Sequence, residues 1–345
     1  MDSNRGDLWD HFVEQQPQST MYHLFGWKAV LEKTFGFKSY YLAACGQDGD
    51  ISGILPLFLM RDLLQKKYLV SNPFANFAGL CTNDALSGEK LLQAAFEIAR
   101  AENAQYIEFR QLREPIKAAL TENPLPTKES FVTLMLDLEA GPEEIWKSLS
   151  SRNRGKVRKA EKAGLQVEVG PEYLADFYSV LSLNLKHLGT PDHPVAFYRA
   201  IMDEFGDRAN LFVLKLNSEV VSAMFLFKFK NILAEPWVAS LRKYNRIYVN
   251  NFLYWKAIEY ACENGFEVFD FGRSTVAAGT FNFKVQWGAK PVQLYYHYFL
   301  NRAKSIPVVD AVNNQYEMYI NIWKKLPFKL TQFVGPRLIK YVPQL

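Results

Sequence analysis

The sequence predicts an α/β (α+β) protein made of two tandem copies of one unit, each with a mixed central sheet. At 345 residues the chain is long for one compact domain and suffices for two. The order strand, strand, helix, strand appears twice at a spacing of about 165 residues, which indicates a duplication. The stretch Leu91–Arg110 also aligns without gaps on Leu253–Gly272, with the identical pairs Ala95 and Ala257, Glu97 and Glu259, Ala99 and Ala261, and Phe109 and Phe271.

The first copy shows helical and extended periodicities in turn, separated by a turn signal at Gly46–Asp50. Its predicted elements are a helix over residues 21–34, a hairpin of strands over 39–44 and 51–60, a helix over 91–101 and a strand over 105–110.

The second copy repeats this order around a second turn signal, Asn217-Ser218. Its predicted elements are helices over residues 173–186 and 194–205, a hairpin of strands over 211–216 and 220–230, a strand over 232–240, a helix over 250–263, and strands over 267–271 and 292–300. We expect the last strand to close the second sheet. The predicted domains are residues 1–145, residues 146–300 and a basic amphipathic tail over residues 301–345.

Composition excludes several classes of protein. The chain is 49% hydrophobic and 22% charged, and its net charge of +4 is too small to indicate nucleic-acid binding by itself. The three cysteines have no CxxC spacing, which argues against a disulfide framework and against a zinc site. The sequence shows no secretory signal and no run of about 18 apolar residues. We therefore expect a cytoplasmic monomer with no metal and no tightly bound cofactor.

The densest group of chemically interesting residues lies between Phe269 and Pro291. A strand carrying Asp270 ends at Arg273 and Ser274, and ligands in open α/β sheets bind beyond the carboxyl ends of strands. Lys284 follows on a short helix and is placed to reach the same cleft, where a cation stabilises an oxyanion or a phosphate. The alternative for Lys284 is an exposed helix lysine. For Asp270 we favour a structural carboxylate that binds backbone N–H groups.

Several motifs resemble those of FemAB-like proteins, which are acyltransferases built from two GNAT-type units. They are FDFGRS followed by GTFNFKVQWGA, the segments His187–Pro191 and Asn250–Trp255, and the basic run Arg154–Ala160. The resemblance covers residues 20–300. The GRS and WGA elements and the tail motif WKKLP…GP are most similar to the subgroup that accompanies exosortase (PEP-CTERM) and exopolysaccharide systems.

The resemblance implies an N-acyltransferase that moves an acyl or aminoacyl group to an amine on a cell-envelope or exopolysaccharide precursor, such as a peptidoglycan precursor. It implies that Lys284 polarises the acyl carbonyl and that Phe283 shapes the donor site. It further implies a set of substrate-binding residues, namely Arg273, Ser274, His193, Trp237, Asn250 and Tyr254. The co-substrate is aminoacyl-tRNA or acyl-coenzyme A.

Two departures from the family pattern leave alternatives open. His193 stands where an arginine binds the acceptor's diphosphate in the best understood members, and a neutral histidine is a weaker phosphate ligand. The segment before the Asn250 helix lacks the glycine-rich loop that holds coenzyme A in simple GNAT enzymes. It offers instead three candidate donor-binding cations, Arg242, Lys243 and Arg246.

The alternatives are therefore an acyl-CoA-dependent GNAT acetyltransferase acting on a small or sugar amine, and a catalytically silent binding module of an exopolysaccharide system.

Two basic segments remain. The run Arg152–Lys162 has three interpretations: a solvated helix face, a contact for tRNA, or a site for acidic lipid or polysaccharide. Residues 320–345 mix apolar, aromatic and basic side chains, which is typical of segments that lie on a membrane surface. The alternative is a helical tail packed on the second unit. The membrane interpretation predicts a peripheral protein on the inner face of the membrane.

Overall fold

The computed structural model describes residues 5–46, 48–114, 116, 119–120, 124–307 and 314–342. These residues form two compact units. The first holds residues 5–131, 293–307 and 338–342, and the second holds residues 132–292 and 314–337. Among the described helices, none combines the length and the apolarity that a membrane span requires.

The first unit packs helices on a seven-stranded mixed sheet. Its helices are α1 (Gly6–Gln15), α2 (Gly26–Phe35) and α3 (Ala85–Ala101), and its strands are β1 (Lys38–Cys45), β2 (Ile51–Arg61), β3 (Lys67–Val70), β4 (Cys81–Thr82), β5 (Tyr106–Gln111), β6 (Thr127–Lys128) and β14 (Tyr295–Leu300). The strand order is β1-β2-β3-β5-β14-β6, with β4 paired to β2. The core between α3 and the sheet includes Leu57, Leu92, Phe96 and Phe109.

The second unit packs more of the described helices than the first, on a seven-stranded sheet of its own. Its strands are β7 (Phe131–Asp137), β8 (Gln166–Val169), β9 (Ala209–Leu216), β10 (Glu219–Phe229), β11 (Ile232–Ser240), β12 (Val268–Thr275) and β13 (Lys290–Gln293), and its helices are α4 (Gly141–Ser148), α5 (Ser151–Glu161), α6 (Leu174–Leu188), α7 (Val195–Phe205), α8 (Val249–Glu263), α9 (Gly279–Val285), α10 (Asn314–Lys325) and α11 (Phe328–Leu338). The order is β13-β7-β12-β11-β10-β9-β8. Strands β11 and β12 are parallel, whereas β9, β10 and β11 are antiparallel neighbours.

Local sequence explains several of these elements. Asn217 and Ser218 both have positive φ, at 50° and 67°, which is the two-residue turn that the twist of a β-hairpin favours. Helix α3 begins at Ala85, earlier than the apolar pattern predicts, because the Asp84 carboxylate accepts the backbone N–H of Ser87. The predicted α/β class with mixed sheets is confirmed.

One predicted strand lies in the other sheet. The segment 292–300 was expected to close the second sheet, but β14 pairs antiparallel with β5 of the first sheet, from Tyr295 opposite Gln111 to Leu300 opposite Tyr106. The hydroxyl of Tyr298 donates to the buried Glu108 carboxylate at 3.0 Å, which stabilises this placement. Strand β7, conversely, precedes residue 145 and lies in the second sheet. The structural units therefore differ from the predicted ranges 1–145, 146–300 and 301–345.

Candidate functional site

A cleft of about 430 Å³ opens in the second unit at the carboxyl ends of the parallel strands β11 and β12. Side chains from α6, β11, the 3-10 helix Arg242–Ile247, α8, β12 and α9 line it. Its polar lining residues are Asn184, Glu235, Ser240, Arg242, Asn245, Asn250, Tyr254, Arg273, Thr280 and Lys284. The position beyond the strand ends is where open α/β sheets bind ligands.

Lys284 is a buried cation at the floor of this cleft, with 8% of its surface exposed. Helix α9 brings its Nζ back onto the end of β12, where it donates to the backbone carbonyls of Gly272 and Arg273, each at 3.1 Å. Burial lowers the pKa of Lys284, and the nearby carboxylates of Glu235 and Asp270 oppose that shift. Lys284 is therefore a cleft residue, and the alternative of an exposed helix lysine is wrong.

Asp270 supports the strand end on which Lys284 rests. Its Oδ1 accepts the backbone N–H of Gly272 at 2.9 Å and the hydroxyl of Thr133 at 2.6 Å. Burial raises the pKa of Asp270, while these two hydrogen bonds lower it. The predicted role of Asp270 as a structural carboxylate that binds backbone N–H groups is confirmed.

Glu235 is the cleft residue that sequence reasoning missed. It lies on β11, lines the cleft and is 5% exposed. Burial raises the pKa of the Glu235 carboxyl, and the Lys284 charge and a hydrogen bond from Tyr254 oppose the rise. The signal was available, because a glutamate inside the strand sequence ILAEPWVAS is unusual. A carboxylate is almost never buried unless it is paired.

Aromatic rings form one wall of the cleft. The Tyr254 ring stacks on Phe271 at a centroid distance of 5.4 Å and tilts against Phe283 at 5.1 Å. Phe283 in turn contacts the buried Trp287 edge to face at 6.2 Å. Tyr254 and Phe283, both predicted as site residues, are thus brought together with Lys284.

The remaining predicted substrate residues near the strand ends divide between the cleft and the interior. Arg273 lines the cleft, and so does Asn250, whose Oδ1 accepts the Ser240 hydroxyl. Ser274 is buried and does not line the cleft. Within the described part of the chain, its hydroxyl has no hydrogen-bond partner.

One of the three predicted donor-binding cations reaches the cleft. Arg242 lines it. Lys243 instead forms an ion pair with Glu219 at 2.7 Å, which raises the pKa of this lysine. Arg246 is exposed on the same 3-10 helix and is not among the lining residues.

The structure places His193 and Trp237 in an aromatic cluster rather than at this cleft. His193 stacks on Phe197 at 4.7 Å, and Trp237 packs edge to face on Tyr198 at 5.3 Å. The rings desolvate His193, and burial lowers its pKa to about 3, which keeps the imidazole neutral at physiological pH. Neither residue lines the cleft: His193 is buried among these rings, and Trp237 is part-buried in the same cluster.

The basic run Arg152–Lys162 forms α5 and its end. The helix buries Asn153, Val157 and Ala160 on one side and exposes most of its cations on the other. Arg154 donates to the backbone carbonyl of Lys147 at 2.9 Å. The run therefore forms a helix with one buried side and one exposed, cationic side.

The cleft is suited to acid–base and electrostatic chemistry. In the described ranges, His, Cys, Asp and Glu side chains form no group of three or more that is arranged to hold a metal ion. A fixed ammonium in a desolvated site, such as that of Lys284, is able to stabilise a developing oxyanion, and a carboxylate with a raised pKa is able to accept a proton near neutrality.

Known proteins resemble this chain in sequence and in fold. Residues 147–285, which include every lining residue named above, match the acetyltransferase (GNAT) domain family. The chain is 27% identical over 232 residues to a lipid II:glycine glycyltransferase of Staphylococcus haemolyticus (strain JCSC1435), covering 61% of this chain and 54% of that protein. The chain thus spans about half the length of the curated relatives it matches.

Two solved structures show the fold. FemX superposes with a TM-score of 0.70 at 18% identity, covering 86% of this chain and 96% of that chain. A tandem GNAT protein from the clavulanic acid biosynthesis pathway superposes with a TM-score of 0.57 at 11% identity, covering 88% of this chain and 97% of that chain. The predicted fold of two tandem GNAT-like units is confirmed: the chain has the fold of FemX and of tandem GNAT proteins, with an acetyltransferase (GNAT) domain match over residues 147–285.

Proposed function

We propose that this chain is an N-acyltransferase that moves an aminoacyl group from aminoacyl-tRNA to an amine of a cell-wall precursor, and that the cleft of the second unit is its active site. The observation that carries the proposal is the buried Lys284 ammonium beside the buried Glu235 carboxyl in one open cleft. The curated relatives named lipid II:glycine glycyltransferases support the aminoacyl donor and the cell-wall acceptor.

Lys284 stabilises the oxyanion. An ammonium carries three N–H donors, and two of them bind the carbonyls of Gly272 and Arg273. The third is available for the acyl oxygen as the acceptor nitrogen attacks the carbonyl carbon. Phe283 and Tyr254 exclude water beside it, which strengthens this electrostatic contact.

Glu235 carries the proton. The C–N bond forms as the amine attacks, and the nitrogen must then lose a proton. The Glu235 carboxylate accepts it, since burial raises its pKa toward the operating range of a general base. The ester C–O bond then breaks, and the proton passes to the leaving hydroxyl of the tRNA.

Acyl-coenzyme A is the alternative donor, and Arg242 in the cleft supports phosphate binding by a side chain. The resemblance to the exosortase-associated subgroup supports an amine on an exopolysaccharide precursor as the alternative acceptor. A catalytically silent binding module of an exopolysaccharide system is the non-enzymatic alternative.

A transfer assay tests the proposal. The protein is incubated with lipid II and either labelled glycyl-tRNA or labelled acetyl-coenzyme A, and the acceptor is analysed by mass spectrometry. We expect transfer from the tRNA, with loss in Lys284→Met and retention in the matched surface variant Lys290→Met. Transfer from acetyl-coenzyme A but not from glycyl-tRNA would contradict the proposed aminoacyl-tRNA donor. Equal activity of Lys284→Met and Lys290→Met would contradict the proposed active site. The binding module would be favoured if deleting residues 320–345 abolished the cellular phenotype while Lys284→Ala left it intact.

A further inference from the structure

Helices α10 and α11 carry apolar side chains that face solvent. Between 42% and 63% of the surface is exposed for Met318, Tyr319, Ile322, Leu330 and Phe333. We call these five residues, with Lys324, Lys325, Lys329 and Arg337, the α10–α11 face. Side chains of this size are normally buried, so five of them exposed on two consecutive helices indicate an interaction surface.

The exposed side chains follow helical spacing. Met318 and Ile322 lie four residues apart on α10, and Leu330 and Phe333 lie three apart on α11, with Arg337 one turn further. The opposite sides of both helices are buried in the second unit through Trp323, Thr331 and Gly335. The helices are therefore docked on their own unit and still present a second apolar face.

Docking of α10 is close and specific. Gly189, at the end of α6, has a φ of 88°, and a Cβ there would lie 2.5 Å from Cγ2 of Ile320. A Cβ on Gly335 of α11 would lie 3.4 Å from Cζ2 of Trp323. Gly189 therefore allows a backbone approach that any other residue would block, and the contact of Gly335 with Trp323 packs α11 against α10, so the fold holds the face in place.

The charge of this face has one sign. From Met318 to Val342 the sequence has no aspartate or glutamate and five cations, against a net charge of +4 for the whole chain. The guanidinium of Arg337 lies 3.9 Å from the centre of the Phe333 ring. Basic side chains bordering exposed aromatic and aliphatic ones are the pattern that binds interfacially to anionic lipid.

We propose that the α10–α11 face binds the surface of an anionic phospholipid bilayer. A protein partner fits the chemistry less well, because lysine is depleted in protein–protein interfaces, whereas this face carries three lysines beside its apolar side chains. Lysine stems instead lie along apolar surface while their ammonium groups contact lipid phosphates. Residues 343–345, at the end of the predicted membrane segment, lie outside the described residues.

The face is linked to the cleft through one helix. Helix α10 packs on α6 at Gly189, and α6 carries Asn184, which lines the cleft. Bilayer binding would therefore hold the cleft at a membrane, where a lipid-linked acceptor resides. The binding itself does not rest on the transfer reaction, and the two are measured separately.

Vesicle co-sedimentation of the full chain tests the proposal. We expect the protein to pellet with equimolar phosphatidylglycerol and phosphatidylcholine vesicles, to stay in solution with phosphatidylcholine alone, and to be released by added salt. The variant Ile322→Ser/Phe333→Ser should weaken vesicle binding by about tenfold or more, because it removes two apolar side chains that enter the bilayer. The variant Lys324→Glu/Lys325→Glu/Lys329→Glu should abolish the preference for phosphatidylglycerol.

Matched controls place the same changes elsewhere on the surface. Leu86→Ser removes an equally exposed apolar side chain from α3, and Lys33→Glu/Lys90→Glu reverses exposed charges on α2 and α3. Both should bind vesicles like the wild type. The proposal would be overturned if the wild type did not bind phosphatidylglycerol vesicles at low salt. It would also be overturned if the control variants lost as much vesicle binding as the variants of the α10–α11 face. A wild-type dimer that the Ile322→Ser/Phe333→Ser variant converts to a monomer, without a change in vesicle binding, would assign the face to a second copy instead.

Discussion

The hydroxyl of Tyr254 donates a 2.7 Å hydrogen bond to Oε2 of Glu235. The bond joins α8 to β11, and both side chains are buried. Burial raises the pKa of the Tyr254 phenol, so this group stays protonated and serves only as a donor to the carboxylate. The pair thus fixes a carboxylate that faces the same cleft as Lys284.

Replacing Glu235 by glutamine should remove the proton acceptor and keep the side-chain volume. We expect kcat to fall by about 10²–10⁴ with little change in KM, as is typical for loss of a general base. Steady-state transfer kinetics check this. The matched control Glu263→Gln, at the exposed end of α8, should leave kcat unchanged, and a change confined to KM in Glu235→Gln would assign the residue to binding.

The Tyr254→Phe variant should shift the pH dependence in a defined direction. The Tyr254 hydrogen bond lowers the Glu235 pKa against the larger effect of burial, so its removal raises that pKa. Transfer requires the ionised carboxylate, and the acid limb of kcat/KM should therefore move to higher pH. A pH–rate profile of both proteins measures this, and a shift to lower pH would contradict the account.

Replacing Lys284 by methionine should remove the oxyanion contact without unfolding the unit. Loss of one such donor costs about 10²–10³ in kcat. Single-turnover transfer rates, with circular dichroism as a test of folding, check this prediction. A Lys284→Met protein that is folded and fully active would show that the ammonium does not contact the acyl group.

Asp192 and His193 should make opposite contributions to stability as pH changes. Burial raises the Asp192 pKa from 3.8 to about 6, so its contribution is complete below pH 3.8 and is lost as pH rises through 6. Burial lowers the His193 pKa from 6.5 to about 3, so its contribution is complete above pH 6.5 and is lost as pH falls through 3.

The variant Asp192→Asn should therefore expose the His193 contribution alone. Compared with wild type, its free energy of unfolding should fall by about 2–3 kcal/mol more between pH 7 and pH 4, at about 1.4 kcal/mol per pKa unit. Urea denaturation at several pH values measures the difference. A difference that is constant or of opposite sign would show that Asp192 is ionised in the folded protein across this range.

Gly189→Ala should destabilise the second unit more than a comparable change elsewhere. The new Cβ would meet Ile320 at 2.5 Å and would also strain a backbone with positive φ. Gly36→Ala is the matched control, because its φ of 69° is similar and nothing lies within 4 Å of the added Cβ. We expect a loss of about 1 kcal/mol for the control and about 2–4 kcal/mol for Gly189→Ala, measured by chemical denaturation. Equal losses would show that α10 does not pack there.

Much of the fold follows from local pattern, whereas strand partnership does not. The turn at Asn217-Ser218 and the alternation around it predict a hairpin, and β9 and β10 form one. The alternating tyrosines of β14 equally predict a strand, but alternation holds no information about which sheet the strand joins. That choice depends on tertiary contacts such as Tyr298 with Glu108, far apart in the chain.

Within the candidate site too, some residues were predictable from local sequence and others depended on tertiary packing. Lys284 and Arg273 were predictable because the end of a parallel strand and the helix after it have a fixed relation. His193 was misjudged as a cleft residue because its burial depends on the packing of Phe197, Tyr198 and Trp237, which the sequence does not place. Glu235 was overlooked because the motifs of residues 269–291 took precedence, although a glutamate inside an otherwise apolar strand was a visible signal.

We propose that the cleft that holds Lys284 and Glu235 transfers an aminoacyl group. The most direct measurement is the rate at which labelled glycine moves from glycyl-tRNA to lipid II with the wild type, Lys284→Met, Glu235→Gln and Lys290→Met. We expect transfer by the wild type and Lys290→Met and strongly reduced transfer by the two cleft variants. Undiminished transfer by both cleft variants would contradict it.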